Sequence, residues 1–217
     1  MKKELIKRIL SSAVLVPLTF YIIIKGSFLF NLFILISLVI TSYEWHKMSK
    51  NKSYNIIGFI FLIISFYTAF EIRNFNQSVY YFLIILIICI STDIGGYIFG
   101  KLLKGPKLTK ISPKKTYMGM IGGYLLSIVS SNIFYNSSHV YTKSIEISSE
   151  TILFIFLVST SSQIGDIIIS YFKRLSKIKD TGNLIPGHGG LLDRIDGMIF
   201  AFPFSYIILK TSLIQNI

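Results

Sequence analysis

Cysteine is all but missing from this chain: Cys89 is the only one in 217 residues. A disulfide within the chain is excluded, and so is a metal centre built from cysteines. Acidic residues are also scarce, 10 Asp and Glu against 22 Lys and Arg, and there are only 3 His. No Gly-x-x-x-x-Gly-Lys-Ser/Thr loop occurs, which argues against a soluble-type nucleotide hydrolase. No internal repeat and no Gly/Ser-rich linker divides the chain.

Apolar residues are what the chain has in abundance. They make up 52% of it, with 18 Phe, and the mean hydropathy is +0.64. A run of roughly 17–25 mostly apolar residues crosses the hydrocarbon core as a helix. Seven runs qualify as candidates: 9–24, 28–43, 56–70, 79–100, 118–135, 152–172 and 195–213. The expectation is an all-α, polytopic transmembrane helical bundle of about seven spans. Residues 1–75 hold three helices with little chemistry, and 76–217 hold the catalytic region, with a polar loop at 170–196. The basic-then-apolar N-terminus is read as an uncleaved first helix, since no small-x-small cleavage site follows it. Tyr43-Glu44-Trp45-His46 has the aromatic and charged mix of a membrane-interface belt.

Charge placement sets the expected orientation. With the N-terminus in the cytoplasm and seven alternating spans, 18 of the 22 basic residues fall in cytoplasmic segments. Only Lys25, Arg73, Lys143 and Lys210 fall on the far side. This positive-inside bias places the N-terminus inside and the C-terminus outside. A cell (inner) membrane location follows, with the chemistry facing the cytoplasm. No basic domain stands clear of the membrane, so nucleic acid is not an expected partner; the lipid bilayer is.

Several acids sit where burial is costly. Asp93 precedes Lys101 by eight residues, and Asp166 precedes Lys173 by seven. At 1.5 Å rise per residue both lie about 10–12 Å along their helices from the cytoplasmic basic residues. Asp193 and Asp196 open the last apolar run from the same side. A carboxylate within a span costs roughly 3 kcal/mol, so its ordinary reading is functional. Several such acids at one depth would repel unless a cation sat among them. With so few His and Cys, hard oxygen ligands select Mg²⁺ or a similar ion. The Asp-x-x-x-Asp spacing of lipid phosphotransferases using CDP-alcohol chemistry is absent.

Cations flank these acids. One connection ends in Ser112-Pro113-Lys114-Lys115-Thr116, and a second runs from Lys173-Arg174 through Lys179 to Arg194. Lys and Arg beside a divalent cation suit a polyphosphate substrate. Arg174 and Arg194 are favoured because a guanidinium grips phosphate bidentately. Gly187, Gly189 and Gly190 around His188 would let backbone approach a ligand closely.

Taken together, these residues resemble a known family. Ser170-x-Phe172-Lys173-Arg174, Lys179-Asp180-x-Gly182, Ile185-Pro186-x-His188-Gly189-Gly190 and Asp193-Arg194-x-Asp196 are similar to the signature of phosphatidate cytidylyltransferases. The Ser112–Thr116 block, with Gly119 after it, resembles a second family block, and Asp93 with Tyr97 and Gly100 a third. The likeness runs from about Ser91 to the C-terminus. Three positions depart from the common pattern: Met118 and Ile169 stand where many members have Glu, and Tyr117 where Trp is commoner.

The resemblance implies transfer of a cytidylyl group from CTP to phosphatidate, with Mg²⁺ as cofactor and a second cation as an open alternative. Members are polytopic and, where their architecture is known, dimeric, so a homodimer is expected. By position, Asp166 and Asp193 would hold metal, with Asp93 and Asp196 nearby. Lys173, Arg174, Lys179 and Arg194 would meet phosphates. Ser112, Lys114, Lys115, Thr116, His188, Gly189 and Gly190 would line the substrate. Rival readings are a CTP-dependent lipid kinase, which would release CDP, and a cation or phosphate transporter.

Overall fold

The computed structural model of the chain describes residues 2–74, 79–137, 148–184 and 189–211, with side chains from residue 13 onward. The helices are α1 (Lys2–Lys25), α2 (Ser27–Ser49), α3 (Asn55–Asn74), α4 (Tyr80–Leu102), α5 (Tyr117–Ser137), α6 (Ser149–Leu175), the single turn α7 (Leu192–Ile195) and α8 (Met198–Lys210). Among the described residues there is no strand, so the all-α expectation holds. The five helices α2 to α6 are long and apolar enough to cross a membrane, while Ala13–Lys25 and Met198–Lys210 are shorter apolar helices. Each apolar run of the sequence became a helix. The last one begins later than its pattern suggests, because α7 ends at Ile195 and α8 starts at Met198.

Two features suit these helices to lipid. Large apolar side chains such as Leu35, Val39, Ile63, Ile133 and Leu153 point outward and are exposed. Polar side chains inside the spans turn back on their own backbone: Thr41 Oγ1 donates to Ser37 O at 2.8 Å, and Thr92 Oγ1 to Ile88 O at 2.7 Å. Hydrocarbon offers no water partner, so a hydroxyl is tolerated there only when satisfied internally.

The chain forms two compact units, Met1–Val79 with Phe172–Asp196, and Tyr80–Tyr171 with Gly197–Ile217. The signature loop therefore packs with the N-terminal helices.

In the first unit, Gly26 at φ 63° breaks α1 from α2. Arg73 then donates Nε to Ile23 O at 2.9 Å and Nη2 to Ile24 O at 3.3 Å. These satisfy carbonyls that the end of α1 would otherwise leave unpaired. The end of α2 is fixed by Trp45, whose Nε1 donates to Asn55 O at 3.0 Å. Its ring meets Phe172 edge-on at 5.2 Å between centroids. Ser176 Oγ donates to Met48 O at 2.8 Å, so the end of α2 is tied to the end of α6.

In the second unit, α4 and α5 come close enough that a side chain would not fit. A Cβ at Gly95 would collide with the Gly122 carbonyl, and one at Gly119 would lie 2.7 Å from Gly96 O. Small residues at such a seam let helix backbones pack tightly in lipid. Hydroxyl pairs add to it: Ser130 Oγ donates to Ser91 Oγ at 2.6 Å, and Thr92 Oγ1 meets Ser159 Oγ of α6 at 2.8 Å. Phe82 of α4 and Phe202 of α8 complete the unit, 4.8 Å apart.

Candidate active site

The second unit holds a cavity of about 300 Å³, with Asp93 from α4, Gln163 and Asp166 from α6, and Ser112, Lys114, Lys115 and Thr116 in its lining. The connection before α5 is shaped by its own sequence. Lys115 N donates to Ser112 O at 3.0 Å, closing a turn with Pro113 in its second position, a place where its fixed φ suits a β-turn. Leu108 N then donates to Lys115 O at 2.8 Å, folding the connection back on itself. Thr116 caps α5: its Oγ1 accepts from Gly119 N at 3.0 Å, the ordinary bond from an N-cap side chain to the third helical residue. The turn thus brings two lysines and a helix N-terminus to one cavity, an arrangement that favours anions.

Asp93 and Asp166, expected at one depth, line this same cavity. Lys115 Nζ lies 2.5 Å from Asp166 Oδ2, and the two side chains are 24% and 29% exposed. An ion pair so partly open contributes only about 0–1 kcal/mol. Ser170 Oγ donates to the other oxygen of Asp166 at 3.3 Å.

The first unit holds the signature loop. α6 ends in a Schellman motif: Lys177 takes φ 57°, Lys177 N donates to Arg174 O, and Ile178 N donates to Lys173 O, both at 3.0 Å. The chain reverses there and leads into Lys179, Asp180 and Thr181. Lys173 is buried, with Nζ 3.0 Å from Asp193 Oδ1 and 3.7 Å from Asp196 Oδ2. Asp193 Oδ2 accepts from Thr181 N at 2.8 Å and Gly190 N at 3.0 Å. Burial alone would raise the Asp193 pKa. The hydrogen bond and charge of Lys173, with the N–H groups of Thr181 and Gly190, outweigh it and hold this carboxyl below its ordinary 3.8. Arg174, Lys179 and Arg194 are exposed. His188 lies outside the described residues, with Ile185, Pro186 and Gly187.

Each unit holds two of the four acids expected near a cation: Asp93 and Asp166 line the cavity of the second, and Asp193 and Asp196 flank Lys173 in the first. Among the described residues, no three of His, Cys, Asp and Glu stand together as a metal cage. This suits Mg²⁺ all the same, because that ion is commonly held by one or two carboxylates plus substrate phosphates. The cavity with Asp93 and Asp166, two hydroxyls and an amide offers the hard oxygens it needs. Both oxygens of Asp193 receive donors, as both oxygens of Asp166 do, so hydrogen bonding alone does not separate these two acids.

Glu44 is the residue the sequence reading passed over. Expected at the membrane interface, it is only 4% exposed. Its Oε1 accepts from Leu191 N at 2.9 Å, and its Oε2 from Leu192 N at 2.8 Å and Thr181 Oγ1 at 3.1 Å. Its neighbours Tyr43 and His46 are exposed. The one available signal was an acid on an otherwise apolar helix, the same signal that singled out Asp93 and Asp166.

Comparison with known proteins shows the family of the chain. The sequence pattern of the cytidylyltransferase family matches residues 53–212. The phosphatidate cytidylyltransferase of Rickettsia bellii is 37% identical, over 95% of this chain and 91% of that protein. That of Rickettsia typhi is 39% identical over 93% and 90%, and that of Bacillus subtilis 33% identical over 91% and 65%.

Proposed function

The chain belongs to the cytidylyltransferase family, and from that premise we propose how its residues carry the reaction. It transfers a cytidylyl group from CTP to phosphatidate, forming CDP-diacylglycerol and pyrophosphate in phospholipid synthesis. The observation that carries the residue assignment is the cavity where Asp93 and Asp166 face Lys114 and Lys115 beneath the N-terminus of α5.

The nucleophile is a phosphate-monoester oxygen of phosphatidate. With a second pKa near 6, that group is mostly dianionic at neutral pH and needs no strong general base. The oxygen forms a bond to the α-phosphorus of CTP, the bond from that phosphorus to the bridging oxygen breaks, and pyrophosphate leaves with the electron pair. The obstacle is repulsion between two anions. Lys114 and Lys115 lower it by neutralising phosphate oxygens in the cavity, with Ser112 and Thr116 as hydroxyl partners. Arg174, Lys179 and Arg194, exposed on the signature loop, are assigned to further phosphate oxygens. Lys173 supports them indirectly, holding Asp193 and Asp196. Asp93 and Asp166 would hold Mg²⁺, which when bound supplies positive charge to the phosphate oxygens.

The same reading puts the cavity at the cytoplasmic face of a cell membrane, counts α1 and α8 as spans, and pairs two copies as a homodimer. Acyl chains then stay in the bilayer while CTP arrives from the cytosol. Purified protein given labelled CTP and phosphatidate is expected to yield pyrophosphate and CDP-diacylglycerol, with loss of both when EDTA removes Mg²⁺. Release of CDP instead would replace this reading with that of a lipid kinase. Undiminished turnover in EDTA would remove the metal from it.

A further inference from the structure

Glu44 has no part in the chemistry above, yet it is built into the signature loop from both ends. We propose that Glu44 is a positioning residue for cytidylyl transfer: through Thr181 and the start of α7 it fixes the loop that carries Asp193 and Arg194. The inference rests on the function proposed above.

Its support begins with rigidity. Glu44 sits near the end of α2, next to Trp45, which is itself pinned to Asn55 O and packed on Phe172. From that fixed point its carboxylate reaches the outgoing arm of the loop at Thr181 and the returning arm at Leu191 and Leu192. Thr181 is the joint between two acids. Its O–H donates to Glu44 and its N–H to Asp193 Oδ2, so a shift of one carboxylate is passed to the other.

Two glycines of the signature also find their explanation here. A Cβ at Gly182 would lie 2.7 Å from Glu44 Oε1, and one at Gly190 would lie 2.6 Å from Oε2. The sequence suggests room for a ligand at Gly190. In the structure, Gly182 and Gly190 make room for the Glu44 carboxylate. Leu191 N and Leu192 N find no partner within the turn of α7 itself, and Glu44 supplies one to each.

A purely structural anchor would lower stability and activity together, whereas a positioning residue separates them. In Glu44→Gln the side chain keeps its size, but its NH₂ is set against at least one backbone N–H. For the full-length protein in detergent, kcat is expected to fall by about 10- to 100-fold, the usual effect of removing a group that orients a reacting one. The unfolding midpoint should stay close to wild type, and backbone hydrogen exchange at Leu191 and Leu192 should quicken at least about tenfold. Thr181→Val, which removes only the hydroxyl bond, should reproduce the fall in kcat in milder form, and Thr181→Ser should restore it. Unchanged exchange at Leu191 and Leu192, or wild-type kcat in both Glu44→Gln and Thr181→Val, overturns the proposal. So does a fall in kcat that merely tracks unfolding in both variants. Should wild type make no CDP-diacylglycerol, the functional reading fails and the catalytic role of Glu44 with it. Exchange then still reports whether Glu44 orders the loop.

Discussion

Lys173 and Asp193 lie 20 residues apart in sequence, with Nζ 3.0 Å from Oδ1. Both side chains are almost fully covered, 10% and 4% exposed. Little of either side chain is open for water to replace its partner. Breaking a buried pair by removing one charge costs on the order of 3–5 kcal/mol, because the other is left uncompensated. Lys173→Met is therefore expected to lower the unfolding free energy in detergent by roughly that amount. Adding Asp193→Asn to the same chain should recover part of it. A single variant as stable as wild type would show that the pair contributes nothing.

Acid should weaken the same loop in a defined direction. The folded carboxyl of Asp193 titrates below its ordinary 3.8, while the unfolded one returns to it. Above that range both forms are ionised, and the full stabilisation is present. As pH falls through it the unfolded chain takes up a proton first, and the contribution is gone once pH has passed the folded value. The drop in unfolding midpoint between about pH 6 and about pH 3 should thus be larger in wild type than in Asp193→Asn. Equal drops in the two proteins would assign acid sensitivity to other carboxylates.

These relationships differ in how far the sequence discloses them. Asp93 and Asp166 could be read directly, because an acid within an apolar run has few structural reasons to be there. Lys115 was legible through the likeness of the Ser112–Thr116 block to the family pattern. Glu44 carried the same kind of signal, but its partners Thr181 and Leu192 lie 137 and 148 residues away. Aromatic neighbours gave its helix end the look of an interface belt, although of the four residues Tyr43 and His46 are exposed while Glu44 and Trp45 are buried. The break between α7 and α8 was hidden too. Asp196 and Gly197 keep helical dihedrals there, so the backbone hardly changes direction at the break.

The cavity of the second unit separates stability from activity in the opposite sense to the Lys173 pair. The Asp166–Lys115 ion pair is partly open, so Asp166→Asn should change the unfolding free energy by no more than about 1 kcal/mol. Its effect on turnover should be far larger, about a hundredfold or more in kcat, the scale on which a single electrostatic group acts at a reacting centre. Lys115→Met should act mainly on the KM for CTP. Pyrophosphate release across a CTP titration measures both. An Asp166→Asn enzyme within threefold of wild type (roughly 0.7 kcal/mol) would take that carboxylate out of the chemistry.

Adjacent glycines of α4 give a test that needs no assay of function. A Cβ at Gly95 would run into the Gly122 carbonyl, whereas one at Gly96 finds its nearest neighbour, Gly119 O, at 3.8 Å, an ordinary van der Waals distance. Backbone cannot yield as a side chain can, so Gly95→Ala forces α4 away from α5. Overpacking of that kind costs about 1–3 kcal/mol. Gly96→Ala meets no such obstacle and removes a poor helix former, so it should be neutral or gain up to about 1 kcal/mol. Thermal unfolding of the two variants in the same detergent reads the difference. If both lose stability equally, the cost is a general one of altering α4. If neither does, the helices are not packed backbone to backbone at Gly95.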